Sequence, residues 1–220
     1  MDYKKMTETR QSCRAFDPVR TPDRAVLTQV LEAARLAPSA CNSQPYHFYV
    51  AVDGTARAVG AATQSLGMNK FAGDCPAFIV VAEQPYNRSA AVGAKLKDQD
   101  YRAADIGLAV SQLVYRAHEL GLSTCILGWF DEKTLQALLN TNARVRLIIA
   151  IGYARATMRC APKYANPWKI LSPGCDSSFR EEKEDTHGEA LHRVRSMQGL
   201  TGRACMEPLP RIRPGGVRFA

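Results

Sequence analysis

Two short stretches carry residue types able to do chemistry. The first is Arg10-Gln11-Ser12-Cys13-Arg14, in which two guanidinium groups flank a hydroxyl at alternate positions. Planar guanidinium forks hold phosphate oxygens through paired, charge-assisted hydrogen bonds that a lysine's point charge does not reproduce. The second is Ala37-Pro38-Ser39-Ala40-Cys41-Asn42-Ser43-Gln44-Pro45. Its two prolines stiffen the chain, and Ser39, Asn42 and Gln44 each donate and accept hydrogen bonds. A pre-shaped, amide-bearing loop of this kind suits the edge of a planar heterocycle. Ordinary structure accounts for both stretches as well: a solvated N-terminal turn with chance arginines, and a helix-to-strand turn.

Other machinery is missing from the sequence. It has no G-x-G-x-x-G, no phosphate-binding G-x-x-x-x-G-K-[ST], no H-E-x-x-H and no G-x-S-x-G. The four histidines (47, 118, 187 and 192) are dispersed, and His118, beside Arg116 and Glu119, reads as a solvated helix position. The seven cysteines (13, 41, 75, 125, 160, 175 and 205) form no C-x-x-C and are odd in number, so neither a zinc site nor a disulfide framework is expected. Cys125, within Thr124-Cys125-Ile126-Leu127, reads as a small core residue. Without acid–base or nucleophilic groups, any difficult step falls to a cofactor.

The formal charge of +8 and the pI near 9.2 favour anionic partners. Nucleic acid is one candidate, but no dense basic run is interleaved with aromatics, and a phosphorylated small molecule explains the excess equally well. With 46% hydrophobic and 23% charged residues, the chain can bury a core. No apolar run reaches the ~18 residues of a membrane span, and no secretory signal follows Met1-Asp2-Tyr3-Lys4-Lys5. The expectation is a cytoplasmic protein with neither membrane nor nucleic-acid partner, in which the Asn87-Arg88-Ser89 sequon carries no weight.

These residues need elements to position them. Residues 22–36 read as a helix, with Thr21 as N-cap, Pro22 at its first position, and Val26, Leu27, Val30, Leu31 and Ala34 on one face. A strand is expected over 47–52, ending at an Asp53-Gly54 turn, followed by an Ala-rich helix over 55–66. The run Ala77-Phe78-Ile79-Val80-Val81-Ala82 predicts a strand buried on both faces. The spacing of Ile106, Val110, Leu113, Val114 and Ala117 predicts a helix over 101–120, stopped by Gly121. Strands at 123–129 and 145–151 bracket a helix over 132–139 capped by Asp131. Helices and strands mix without regular alternation, which predicts an α+β fold. Beyond residue 171 the composition shifts to charge, Gly, Pro and Arg. Residues 1–171 are therefore expected to form one domain, and 172–220 a poorly ordered tail with at most a short helix over 189–197.

Taken in order, Arg10-x-Ser12-x-Arg14-x-Phe16, Glu32-Ala33-Ala34-Arg35-Leu36 and the 37–45 run closely resemble the opening of the FMN-dependent nitroreductase family. The likeness continues through Asp105-Ile106-Gly107, Glu119-Leu120-Gly121-Leu122-Ser123-Thr124-Cys125 and Leu127-Gly128-Trp129-Phe130 to Leu147-Ile148-Ile149-Ala150-Ile151-Gly152-Tyr153. The resemblance implies a homodimer with FMN at the subunit interface and a mainly antiparallel central sheet flanked by helices. It implies that Arg10, Ser12 and Arg14 hold the FMN phosphate. It implies that Pro38, Ser39, Ala40 and Asn42 line the flavin of the partner subunit, with Gln44 nearby. By looser alignment Asn69 faces the flavin edge, Leu127 and Gly128 offer backbone groups near the ring, and Arg159 and Lys163 are candidates to complete the phosphate grip.

The activity implied is two half-reactions, in which NADH or NADPH reduces the flavin and a nitroaromatic, quinone or similar acceptor reoxidises it. Rival readings are a dehalogenase or metabolite dehydrogenase of the same superfamily, a flavin-binding redox sensor with little turnover, and a basic nucleic-acid-binding protein. Two departures stand out: Tyr46 where the family commonly has Trp, and a C-terminal segment from about 172 that resembles nothing in the family.

Overall fold

A computed structural model of the chain describes residues 2–156. Arg159, Lys163, the domain boundary at 171 and the 172–220 tail lie outside the described residues. In chain order the elements are α1 (Tyr3–Thr9), α2 (Arg24–Arg35), β1 (Tyr46–Val52), α3 (Asp53–Ala62), β2 (Ala77–Glu83) and α4 (Arg88–Lys97). They continue with α5 (Arg102–Glu119), β3 (Ser123–Leu127), α6 (Glu132–Leu138) and β4 (Val145–Gly152).

The strands form one antiparallel sheet in the order β1-β2-β4-β3. Tyr46 lies opposite Glu83, Ala77 opposite Ile151, and Ser123 opposite Gly152. Side chains alternate across a strand, and the sheet divides its core accordingly. On one face Val50, Ile79, Val81, Ile149 and Ile151 pack against α2 and α5. On the other, Ala51, Phe78, Val80, Ile148 and Ala150 pack against α3, Leu135 of α6, Cys13 and Phe16. β2 is central and covered on both sides, so Ala77 to Ala82 are all buried, which is why that run is continuously apolar. The α+β expectation holds.

Local differences have local causes. α2 begins at Arg24, with Asp23, in extended geometry and without a side-chain capping bond, at the N-cap position expected of Thr21. Asp53-Gly54 ends β1 but opens α3 directly, with Asp53 at φ +52° making the corner that a separate turn was expected to make. β3 stops at Leu127, which leaves Gly128 and Trp129 outside the sheet. α1 and α4 were not anticipated. Asn87, set aside as a sequon, caps α4 by accepting the Ala90 N–H at 2.9 Å.

Candidate functional site

After α1 the chain turns extended at Arg10 (φ −61°, ψ 123°) and lies along the outer side of edge strand β3. Ser12 pairs in parallel with Thr124, and the Cys13 N–H donates to the Thr124 carbonyl at 2.9 Å. Further on, Asp17 N–H bonds Tyr153 O at 2.8 Å and Arg155 N–H bonds Ala15 O at 2.9 Å, so the strip crosses to the end of β4. The two-residue period of extended chain does the rest: Cys13 is buried, while Ser12 and Arg14 face outward. Burial pushes the Cys125 thiol up, and Arg14, the Ser12 side chain and Arg10 all act on the same sulfur to lower it. Arg10, Ser12 and Arg14 therefore lie on one strip beside β3, with Ser12 paired to Thr124.

Neither Arg10 nor Arg14 pairs with a carboxylate among the described residues, and Arg57, Arg88 and Arg144 share that condition away from the strip. Two guanidiniums without a carboxylate partner and a hydroxyl between them on one strip favour an anion.

β3 leads from this point to a second group. Leu127 is buried, Gly128 is exposed, and Trp129 is 46% exposed. Asn69, left-handed at φ +50°, donates its side-chain amide to Thr63 O at 3.2 Å and Trp129 O at 3.3 Å. Trp129 Nε1 in turn donates to Ser65 Oγ at 2.9 Å, fixing the indole. Asn69, Leu127 and Gly128 are thus brought together, about 13 Å along the strand from Thr124. In the sequence Trp129 stands only within the Leu127-Gly128-Trp129-Phe130 motif; its signal is a large aromatic left exposed beside a glycine.

The 37–45 loop lies elsewhere. It enters β1, the opposite edge of the sheet, three strand spacings or about 14 Å from β3. Cys41, Asn42 and Gln44 all take left-handed φ, at 50°, 49° and 46°. The Ala40 N–H reaches both carboxylate oxygens of buried Asp105, at 3.1 and 3.2 Å. Asn87 donates its side chain to Cys41 O at 3.0 Å, and its N–H to Ser43 Oγ at 2.9 Å. Gln44 donates Nε2 to Arg35 O at 2.9 Å, and its N–H to Ser39 Oγ at 3.0 Å. Pro38 and Asn42 are exposed. One chain therefore joins Arg10, Ser12, Arg14, Asn69, Leu127 and Gly128 along β3, and holds Pro38 to Gln44 apart from them.

His118, expected to be solvated, is half-buried and bonds Thr9 Oγ1 at 2.8 Å. A groove of about 470 Å³ beside Asp53, Arg57 and Asp74, at the other end of β1, contains none of the site residues. Among the described residues no His, Cys, Asp and Glu cluster is arranged to hold a metal, and no helix is long and apolar enough to cross a membrane.

Sheet, helices and an anion-attracting edge strip define an α+β protein with an open site along β3. The nitroreductase family model matches residues 7–65 and 52–153. The chain belongs to the nitroreductase family. Its fold is similar to that of an FMN-dependent nitroreductase from Clostridium difficile, at 23% identity and TM-score 0.58, covering 72% of this chain and 90% of that one. A nitroreductase-like protein from Streptococcus mutans aligns at 17% identity and TM-score 0.64 over 78% and 98% of the two chains. A putative NAD(P)H:FMN oxidoreductase from Staphylococcus epidermidis gives 18%, 0.62, 77% and 96%. A comparison with curated proteins finds no match.

Proposed function

We propose that this chain is an FMN-dependent NAD(P)H oxidoreductase that works as a homodimer, each flavin held by β3 and its strip from one subunit and by the 38–44 loop of the other. The observation that carries this reading is the strip paired to β3 at Ser12, which presents exposed Ser12 and Arg14 with half-buried Arg10 two residues before Ser12, neither arginine pairing with a carboxylate among the described residues. That donor set fits a phosphate monoester, and the names of the family's structural neighbours support FMN as the molecule that carries it.

Arg10 and Arg14 neutralise the phosphate, and the Ser12 hydroxyl adds a donor between them. Asn69 and the backbone of Leu127 and Gly128 face the ring edge, with the Trp129 indole held alongside. From the partner, Pro38, Ser39, Ala40 and Asn42 line the flavin. Gln44 Nε2 is engaged with Arg35, so its Oε1 is the atom left to face a ligand; Ser39 Oγ accepts from Gln44 N–H, so its own hydrogen remains a donor. Lys163 completes the phosphate grip in this reading. When bound, FMN supplies a two-electron transfer from NADH or NADPH to a small acceptor such as a nitroaromatic or quinone.

The test is the purified protein's visible spectrum. Flavin bands, bleached by NADH or NADPH and restored by a nitroarene or quinone with steady turnover, are the expected result. Tight FMN without turnover would replace the reductase with a flavin-binding module, and colourless protein that takes up no added FMN would overturn the proposal. The double variant R10A/R14A is expected to lose its flavin during gel filtration; retention at wild-type affinity would remove the arginines from the site.

A further inference from the structure

Left-handed backbone disfavours residues with side chains and persists only where the surroundings over-determine it. Three of four consecutive residues from Cys41 to Gln44 are in that region, so something must hold them there. The bonds from Asn87 and from the Gln44 side chain lie at the exposed surface, where water competes, and the partly buried Gln44 N–H bond to Ser39 Oγ stays within the loop itself.

The Asp105 bond differs in kind. Asp105 is 4% exposed, sits in the first turn of α5, and receives the Ala40 N–H on both oxygens at 3.1 and 3.2 Å. A buried carboxylate needs donors, and among the described residues the Ala40 amide is the donor its side chain takes. Tyr46, whose hydroxyl is buried without a partner among the described residues, does not supply a second. α5 is the longest described helix and packs along the core with α2, so the loop is tied to the stiffest element near it.

We propose that Asp105 is a positioning residue of the cofactor site: through the Ala40 amide it fixes the left-handed loop, so that Pro38, Ser39, Ala40 and Asn42 meet the partner's flavin in one preset shape. This rests on the reading of that loop as a flavin-facing half-site. A loop already ordered loses less entropy on binding, which raises affinity without adding a contact.

FMN affinity, visible circular dichroism of the bound flavin and thermal midpoint are compared for wild type, D105A, D105N and Y46F. D105A should lose about tenfold in FMN affinity, the scale of one charge-assisted bond, and should alter the flavin dichroism. D105N keeps a carbonyl oxygen for the amide and should return to within about threefold. Y46F, which leaves the bond in place, should bind like wild type. Wild-type affinity and dichroism in D105A would overturn the proposal; so would equal loss in D105A and D105N.

Should D105A fail to fold, A40P removes the same bond from the loop side. Ser39, at φ −148° and ψ 158°, already has the extended geometry a residue before proline requires. A40P must then weaken FMN comparably, and unchanged affinity would overturn the proposal. Wild type that binds no FMN would overturn the underlying cofactor reading as well, whereas wild type that binds while D105A and A40P are indifferent would overturn only the positioning role.

Discussion

Single residues show how unevenly sequence carries function. Arg10, Ser12 and Arg14 were legible as two guanidinium forks around a hydroxyl, while the extended strip that lays Ser12 beside Thr124 of β3 was not. Asp105 was visible only as part of a motif, because its role depends on an amide 65 residues earlier that no local pattern reveals. Tyr46 sharpens the point. Its phenol reads as a mild aromatic exchange, yet its hydroxyl is buried with no partner among the described residues, and burial, followed by the Asp105 charge, raises its pKa. An unmet buried hydroxyl costs about 1–3 kcal/mol, so Y46F is expected to leave the thermal midpoint unchanged or raise it. A clear drop in calorimetry would reveal a partner for that oxygen. The core cysteines give a second expectation. Burial pushes Cys75 up to about 12, and Cys13 and Cys125 are raised for the same first cause. At neutral pH all three should resist maleimide in the native protein and label only on unfolding, as read by site-resolved mass spectrometry; rapid native labelling of Cys75 would contradict the core described here.

At the scale of elements, strong periodicity and clear caps succeeded, and helices without a buried stripe failed. α5 and β2 carry enough apolar residues at one spacing to declare themselves. α1 buries no residue and α4 buries only Ala90, so neither leaves a hydrophobic stripe to read. The corner at Asp53 eluded the sequence because Asp-Gly signals a turn, and here the same pair starts a helix. Glycine at the end of β4 has a plainer logic. A Cβ on Gly152 would stand 2.9 Å from Pro76 Cδ and Cγ and 3.3 Å from Phe16. Phe16 also pairs through Ala154, so crowding there would disturb the anchor of the 12–17 strip. G152A should therefore cost about 1–3 kcal/mol of stability in denaturant unfolding and loosen flavin binding along with it. A neutral result would mean that the strip is held from elsewhere.

The whole molecule poses the central question, because its two candidate half-sites occupy opposite edges of one sheet. β3 carries the cationic strip and β1 the left-handed loop, about 14 Å apart across the strands. Among the described residues Ser12, Arg14 and Gly128 on one side and Pro38 and Asn42 on the other are exposed, and a second chain completes each half-site in the proposed homodimer. The family likeness made this arrangement legible in outline, while the sheet order that separates the halves emerged only from strand pairing. The most direct test uses heterodimers purified with two different tags, pairing an R10A/R14A subunit with an S39A/N42A subunit. Each variant alone, as a homodimer, should bind no FMN. The heterodimer retains one intact strip facing one intact loop, and should bind one FMN per dimer and regain NAD(P)H oxidation. A heterodimer that binds none, beside wild type that binds FMN, would show that both halves act within one chain and would contradict the shared site.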